Sequence, residues 1–532
     1  MSARKNKILP LVLTLAVLLL LLPLLTLPAS AASGGNVAVA GLTAFDPTED
    51  KGDLFGDGKA VYHYDIENDR GILTLTGFDD SGAKTHPYLD KVWNGSNGET
   101  TTALFSVLVT GRTPVYVRVT GDTYLKYGIS VEKGMVTFDD AKVTFGEDIT
   151  CGAVVHDGNV AVYDSTLTME GAGYIHATRP DSSVSAFLYG YDITVDHSTV
   201  TCDINNMTDH CYSDGFLYAE RNLLLNDSTL TLKTNRSAFL HAFESYTGLL
   251  QATGCKITLD RPQICFAAYG AEGVGTDDLQ GVGSVSFDGT TVKAENCSAF
   301  AICSGFVSAS SKITAETLSQ GIRSEGTAET YVIFRDSKVS LTCTNKDDPE
   351  AATFGLLAKG GAVVMADSRL SFDGYGCGVC IYGQAQLALE KKVRLDIKAD
   401  VTALMIASQI DESFNPTVDY RASGAALRTT EIPGSVPADG VGRYASSFVR
   451  GSTAFAFTAE DPKTVDSIWQ LILACRGDTV MKNLKLRTEG AYLKPWAVIL
   501  IVVGGVAAAS VGGWFLWKYF RRKKTGNKAK SV

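Results

Sequence analysis

The familiar signatures of enzyme active sites are missing from this chain of 532 residues. It has no G-x-S-x-G, no H-E-x-x-H, no P-loop and no dinucleotide-binding glycine pattern, the motifs that mark acyl transfer, zinc-dependent and nucleotide chemistry. Helical periodicity is nearly absent between residues 110 and 400. Apolar residues there alternate in threes and fours, with Thr and β-branched residues prominent, a pattern of short strands. The 11 cysteines are odd in number and scattered, unlike the dense framework of a small disulfide scaffold. Cys202, Cys265 and Cys343 fall at strand-like positions and read as small buried hydrophobes. Cys202–Cys211 and Cys297–Cys303 stay open as disulfides in an oxidising compartment. Cys377 and Cys380 have no second pair and no nearby histidine, too little for zinc or redox chemistry.

What is present is a phrase repeated in tandem. It reads VTFDDAKVTF at 136–145, VAVYDSTLTM at 160–169, LLLNDSTLTL at 223–232, VIFRDSKVSL at 332–341 and VVMADSRLSF at 363–372. Its small corner residue recurs at Ala141, Ser165, Ser198, Ser228, Cys255, Thr290, Ser311, Ser337, Ser368 and Lys391, at spacings of 21 to 35 residues. A constant phrase at variable spacing places the insertions in loops. Each unit is too small to enclose a core, so copies must stack to bury their apolar faces. Three short strands fit each interval: one leads into the corner, one follows it, and one carries an aromatic phrase. The last reads AFLYG at 186–190, GFLYA at 215–219, AFLHA at 238–242 and AFAIC at 299–303. This is the grammar of a parallel β-helix, with equivalent strands paired coil to coil at about 4.8 Å. An array of β-sandwiches is the rival, but it needs a core every ~100 residues and no fixed short phrase.

Both ends face a membrane. Arg4, Lys5 and Lys7 precede an apolar run over 8–27 and then Ala29-Ser30-Ala31, the order of a secretory signal cut after Ala31. An uncleaved anchor is the competing reading, against which Pro10, Pro23 and the small-residue site argue. Residues 496–517 carry no charge, which is long enough to cross a bilayer. Trp496, Trp514, Trp517 and Tyr519 sit at interfacial positions, and Lys518, Arg521, Arg522, Lys523 and Lys524 place the tail in the cytoplasm. No LPxTG-like motif precedes the span, so it reads as an anchor and not as a wall-sorting signal.

The chain holds 48 Lys+Arg and 58 Asp+Glu. Three basic residues lie in the signal and seven from Lys518 onward, leaving 38 against 58 for the exported part, about −20. Such an ectodomain disfavours nucleic acid and acidic polymers as partners. The expected organisation is 1–31 signal peptide, 32–110 N-terminal β cap, 111–400 parallel β-helix, 401–490 C-terminal cap and juxtamembrane stalk, 496–517 transmembrane helix and 518–532 basic cytoplasmic tail. Within the C-terminal cap, Asp461 and Pro462 open a helix expected to run through Cys475, with Ile468, Leu471 and Ile472 on one face.

The phrase h-x-h-x-D-S-x-h-x-h, in tandem after a signal peptide, resembles the right-handed parallel β-helix proteins of the pectate-lyase-like superfamily, and most of all its anchored bacterial adhesin-like members. The resemblance covers about 110–400. It implies an all-β fold: a right-handed parallel β-helix with three strands per coil and about ten to thirteen coils, capped at both ends and followed by one C-terminal transmembrane helix. Family catalytic motifs do not transfer. Asp-Asp pairs occur at 79–80, 139–140, 277–278 and 347–348, but there is no G-H-G, R-I-K or N-T-D, and Arg221, Arg236 and Arg323 fall in no lyase motif. The expected function is therefore surface binding or adhesion at the cell membrane, with glycan, envelope or another surface protein as partner and no nucleic acid. A polysaccharide lyase or glycoside hydrolase is the alternative.

Candidate residues follow from the stacking. The corner acids Asp140, Asp164, Asp227, Asp336 and Asp367 form a column read chiefly as turn chemistry, in which Asp and Ser accept backbone N–H groups. A Ca2+ ladder is the other reading, and no further cofactor is expected. His197, Gly254, Gly289 and Glu390 interrupt the column. Phe187, Phe216, Phe239, Phe266, Phe300 and Phe354 should stack in the interior. Tyr189, Tyr218 and His241, two positions on in the aromatic phrase, are the candidate ligand surface. The long loop 203–215 offers Asp203, Asp209 and Asp214 for a cation.

Overall fold

The computed structural model describes residues 35–93, 100–146, 151–171, 186–204, 213–234, 239–269, 283–325, 330–345, 353–359, 362–382, 386–389 and 392–407, with short strands at 426–429, 456–459, 469–472 and 483–487. Every regular element among them is a strand, and none of them belongs to a helix long and apolar enough to cross a membrane. The signal-like segment and the apolar segment 496–517 lie outside the described residues. Two compact units are present. The first runs to Val307 and takes in Ser311–Thr330 and Cys343–Asn345; the second holds Ser308–Ser310, Tyr331–Thr342 and the chain from Lys346.

Register shows the coil directly in the first unit. Ala153 pairs with Ile129, Val160 with Val136, and Thr166 with Lys142, all in parallel. The next coil repeats this three-way match: Leu188 on Ala153, Ile193 on Val160 and Thr199 on Thr166. So does the one after it, with Leu217 on Leu188, Leu223 on Ile193 and Thr229 on Thr199. Each coil thus contributes a leading, a following and a return strand to three parallel columns, a β-helix-like arrangement. Alternation along each strand fits it. Leu167, Val200, Leu230 and Ile257 are at most 1% exposed, while Thr166, Thr199 and Thr229 between them face outward and are half-buried. A one-residue slip would turn all of these leucines and valines to water.

The corner between leading and following strands is where the repeat phrase acts. Asp140, Asp164, His197 and Asp227 take φ of 48°, 47°, 46° and 42°, followed by Gly254 and Gly289 at 65° and 57°. This left-handed conformation is tolerated by Asp and Asn and free of penalty for Gly. The next residue points inward and is nearly buried, and its hydroxyl makes two bonds. Ser198 Oγ accepts the N–H of Ser165 at 3.0 Å and donates to the carbonyl of Asp196 at 2.7 Å. Ser165 Oγ likewise serves Ala141 N–H and the Tyr163 carbonyl, at 2.9 and 2.6 Å. Ser228 Oγ serves Ser198 N–H and the Asn226 carbonyl, at 3.0 and 2.5 Å. Thr290 Oγ1 accepts from Cys255 N–H at 3.2 Å, and Ser311 Oγ from Thr290 N–H at 3.0 Å. Cys255 holds the intervening rung with its thiol, which donates to the Thr253 carbonyl at 3.3 Å; burial pushes that thiol up to about 11.

The neighbouring N–H groups are satisfied as well. Asp164, His197 and Asp227 donate to carbonyls of the following coil at 3.2, 3.1 and 2.8 Å, and Thr199 and Thr229 to Ser165 and Ser198 at 2.8 Å each. The turn therefore leaves no orphaned backbone donor among these residues, as buried backbone requires.

Aromatic rings fill the interior beside this ladder. Phe145, Phe187, Phe216, Phe243 and Phe266 follow one another with centroid separations of 5.2, 5.7, 5.8 and 5.2 Å, and Phe266 meets Phe287 at 4.9 Å and Phe300 at 5.3 Å. Phe243 holds the place in the ring stack expected of Phe239: its ring meets Phe216 although its backbone is level with Leu217. The side chain of Phe239 lies outside the description. All nine described cysteines are free and buried, as read for Cys202, Cys265 and Cys343; Cys297 and Cys303 are among them, so the bridge that the sequence left open between these two is absent. Cys202 is likewise unbonded, its Sγ 3.6 Å from Met169 Sδ; Cys211 lies outside the described residues. Cys297 instead lies against Cys265, whose thiol is held well above its ordinary range by burial and by that neighbour.

Antiparallel strands cover this unit's N-terminal side, Asn36–Val39 on Val107–Thr110 and Ala60–Asp65 on Arg70–Thr76. Parallel pairing already begins there, with Gly71 on Val115. The second unit repeats the corner: Ser310, Asp336, Asp367 and Lys392 have φ of 47°, 48°, 48° and 55°, and Ser368 Oγ accepts Ser337 N–H at 3.1 Å. Among the described residues its last corner lies at Lys392 and buried Val393, since Arg394 pairs with Arg369. The expected corner at Glu390 and Lys391 falls two residues early, on residues outside the description. Asn483–Arg487 closes this unit's edge antiparallel on 394–398, which removes an exposed strand edge. Where a helix was expected after Asp461, Trp469–Ile472 is a strand paired antiparallel with Ala456–Ala459; Trp and Ile suit a pleated surface.

Two substitutions test this packing. Phe216→Ala is expected to lower stability by about 3–5 kcal/mol, and Phe243→Ala by a similar amount, in chemical denaturation. Ser198→Ala strands the Ser165 N–H and is expected to cost about 1–3 kcal/mol, while Thr199→Ala on the outer face should stay within about 0.5 kcal/mol. Equal effects of the two would refute the ladder.

Candidate functional site

The return column is apolar on its inner side and carries polar groups on the other. Its register aligns Tyr189, Tyr218, Glu244, Ala267, Ile302 and Arg323 in one row across successive coils of the first unit. Tyr189 and Tyr218, expected together, do share that row, with ring centroids 5.5 Å apart. Tyr189 is only 7% exposed. It packs in a second apolar cluster with Phe105, Leu108, Val154 and Ala186, and its hydroxyl is held by Glu220. It is a packed residue more than an open platform, and Tyr218 lies half-buried beside it.

His241 sits elsewhere than expected. It aligns with Gly215, and the residue level with Tyr218 is Glu244. The aromatic phrase misleads here because AFLHA and GFLYA look alike, yet they differ in distance from the next corner. Gly215 lies 12 residues before Asp227 and His241 lies 13 before Gly254, whereas Ala238 lies 16 before it. Counting back from the corner is the signal that recovers the true register.

His241 and Glu244 form the most unusual group in the column. Their side chains are 6% and 4% exposed, and His241 Nδ1 lies 2.5 Å from Glu244 Oε2. Neither atom has another partner, and the contact is not aligned as a regular hydrogen bond. Residues three apart on a regular strand face opposite ways, so the chain must curve between them. On its other side, His241 Nε2 lies 2.8 Å from the Tyr269 hydroxyl. Tyr269 is pushed above the ordinary tyrosine range, first by burial and then by the Glu244 charge, with Arg323 opposing. Arg323 reaches Glu325 at 2.6 Å through both Nε and Nη2. A carboxylate, an imidazole and a phenol thus meet, with a guanidinium in electrostatic reach. Sequence reasoning singled out His241 but missed Glu244, Tyr269 and Arg323.

The other candidates are dispersed. Asp203 is half-buried, 3.7 Å from Lys233 Nζ, with Oδ1 lacking a partner. Asp214 belongs to the strand Ser213–Asn226, and Asp209 lies outside the described residues. Among the described residues no group of three or more His, Cys, Asp or Glu is placed to hold a metal ion. The corner acids are exposed and interleaved with cations, Asp227 with His197 at 3.8 Å and, in the second unit, Asp367 with Lys392 at 3.4 Å. No family model matches this sequence, and neither the curated proteins nor the solved structures contain a match to it.

His197 offers a pH test of the corner row. The hydrogen bond and charge of Asp196, 3.2 Å away, hold its imidazole above its ordinary value, with smaller help from Asp227 and Asp164. A raised folded-state value means that the stabilisation is complete below the unfolded midpoint near 6.5 and fades as pH rises through the folded one. NMR titration is expected to place His197 above 6.5, and Asp196→Asn is expected to lower it; an unmoved midpoint refutes the pairing.

Proposed function

We propose that this chain is a membrane-anchored extracellular β-helix protein whose return-column face recognises glycan. The observation that carries the reading is the gathering of His241, Glu244, Tyr269 and Arg323 on the return column. Buried polar groups of this kind are expensive to keep and cluster at sites of recognition and chemistry. Hydroxyl, imidazole, carboxylate and guanidinium are the donors and acceptors that sugar hydroxyls need, and Tyr218 supplies an adjacent ring. The coils wind right-handed in this reading, as parallel crossovers in one sheet almost always do. The pectate-lyase-like resemblance agrees with such winding. Residues 1–31 export the chain and 496–517 hold it in the membrane with the tail in the cytoplasm.

A second reading, a glycan-active enzyme, is favoured by the same cluster, because carboxylates join a histidine and an arginine there instead of a smooth Tyr and Thr surface. Full-length protein in detergent micelles, screened on a panel of neutral and acidic polysaccharides, is expected to bind at least one neutral glycan. Arg323→Ala and Tyr218→Ala are expected to weaken that binding about tenfold or more. Absence of binding across the panel overturns the proposal.

A further inference from the structure

The line Glu244–His241–Tyr269 has the connectivity of an acid–base relay. A carboxylate touches one imidazole nitrogen and a hydroxyl touches the other, at 2.5 and 2.8 Å. An imidazole whose Nδ1 faces a carboxylate can present Nε2 as a base. As packing alone the pair makes little sense, since apolar residues of similar size usually stabilise a buried position at least as well. The vertical neighbour of Glu244 in the next coil is Ala267, itself fully buried and the smallest side chain in the row Tyr189, Tyr218, Glu244, Ala267, Ile302 and Arg323.

We propose that His241, Glu244 and Tyr269 form a hydrolytic site for O-acyl esters carried on neutral sugars, an inference that rests on the glycan-face reading above. A water molecule gives a proton to His241 Nε2 as its oxygen bonds to the acyl carbon, and the carbonyl π pair moves onto the carbonyl oxygen. Glu244 balances the imidazolium that forms. The Tyr269 hydroxyl turns from Nε2 to donate to the new oxyanion, a role that requires a protonated phenol, and its surroundings keep it protonated. The tetrahedral species then re-forms the carbonyl, the bond to the sugar oxygen breaks, and the imidazolium returns its proton to that oxygen. Ester and water enter; carboxylic acid and alcohol leave. Arg323 adds positive potential where negative charge develops. An uncharged ester suits an ectodomain that repels acidic polymers.

The test measures acetate release from an O-acetylated neutral polysaccharide by the full-length protein in detergent micelles. Turnover is expected, with His241→Gln and Glu244→Gln slower by about a hundredfold or more. Tyr269→Phe is expected to lower kcat about a hundredfold with little change in KM, a split that loss of packing would not produce. Circular dichroism melting confirms that each variant folds, and Tyr269→Phe, which deletes one oxygen, stands in should His241→Gln unfold. No release by the unmodified protein, or full activity in folded His241→Gln or in Tyr269→Phe, overturns the inference. Glycan bound without release sinks this step alone, whereas failure to bind any glycan sinks the reading beneath it.

Discussion

The inward-pointing corner hydroxyl is the constraint from which the rest of the first unit follows. A turn of one left-handed residue leaves the next N–H aimed into the interior, where neither water nor a ladder carbonyl can take it. Ser165, Ser198 and Ser228 each supply an acceptor one coil away and discharge their own proton into a carbonyl two residues back. Because the acceptor comes from the next coil, the corner can close only when the coils are in register. Inward Leu, Val and Phe then have a single alignment available. Hydrogen bonding sets the alignment and apolar burial supplies most of the free energy.

The same rigidity explains how a polar group can survive on the return column. Insertions between coils vary in length, yet the row from Tyr189 to Arg323 keeps its pairing because the corners hold each coil to the next. His241 and Glu244 are thereby brought against Tyr269 from a coil below it, although the three are separated by as many as 28 residues in sequence. His241, Glu244 and Arg323 lie on strands and Tyr269 directly follows one, a placement that favours the fixed geometry recognition and proton transfer both need. Outer-face ion pairs such as Arg118–Asp139 at 2.5 Å and Lys398–Asp373 at 3.0 Å are exposed and add little to stability.

The leading and following columns were readable from residue order because their code is local. Asp before Ser states both a left-handed turn and a hydroxyl rung, and the apolar alternation on each side fixes the strands. Where the code lapses, reading fails: Lys392 and Val393 take the corner without an acid or a hydroxyl, and the phrase is lost there. The return column has no such punctuation. Its Phe and Leu recur with the wrong spacing at 238–242, so Phe243 was passed over for Phe239 and His241 was set level with Tyr218. Glu244, Tyr269 and Arg323 become neighbours only through coil stacking, and nothing in their own sequence surroundings marks them. The Cys297–Cys303 bridge that the sequence left open does not form, and Cys297 meets Cys265 instead, because proximity in sequence does not decide which sulfur atoms become neighbours.

Ala141 and Val393 stand where the rung-bearing residue would be, yet neither can offer a hydroxyl. Ala141 receives nothing from it because it only gives its N–H to Ser165. Such positions lack a rung, whereas Ser165 and Ser198 in the first unit each accept one N–H and give their own to the next hydroxyl. A gene that loses or duplicates the stretch from one serine to the next would rejoin like to like. The array could therefore lengthen or shorten by whole coils over evolutionary time while each surviving turn kept its bonding intact.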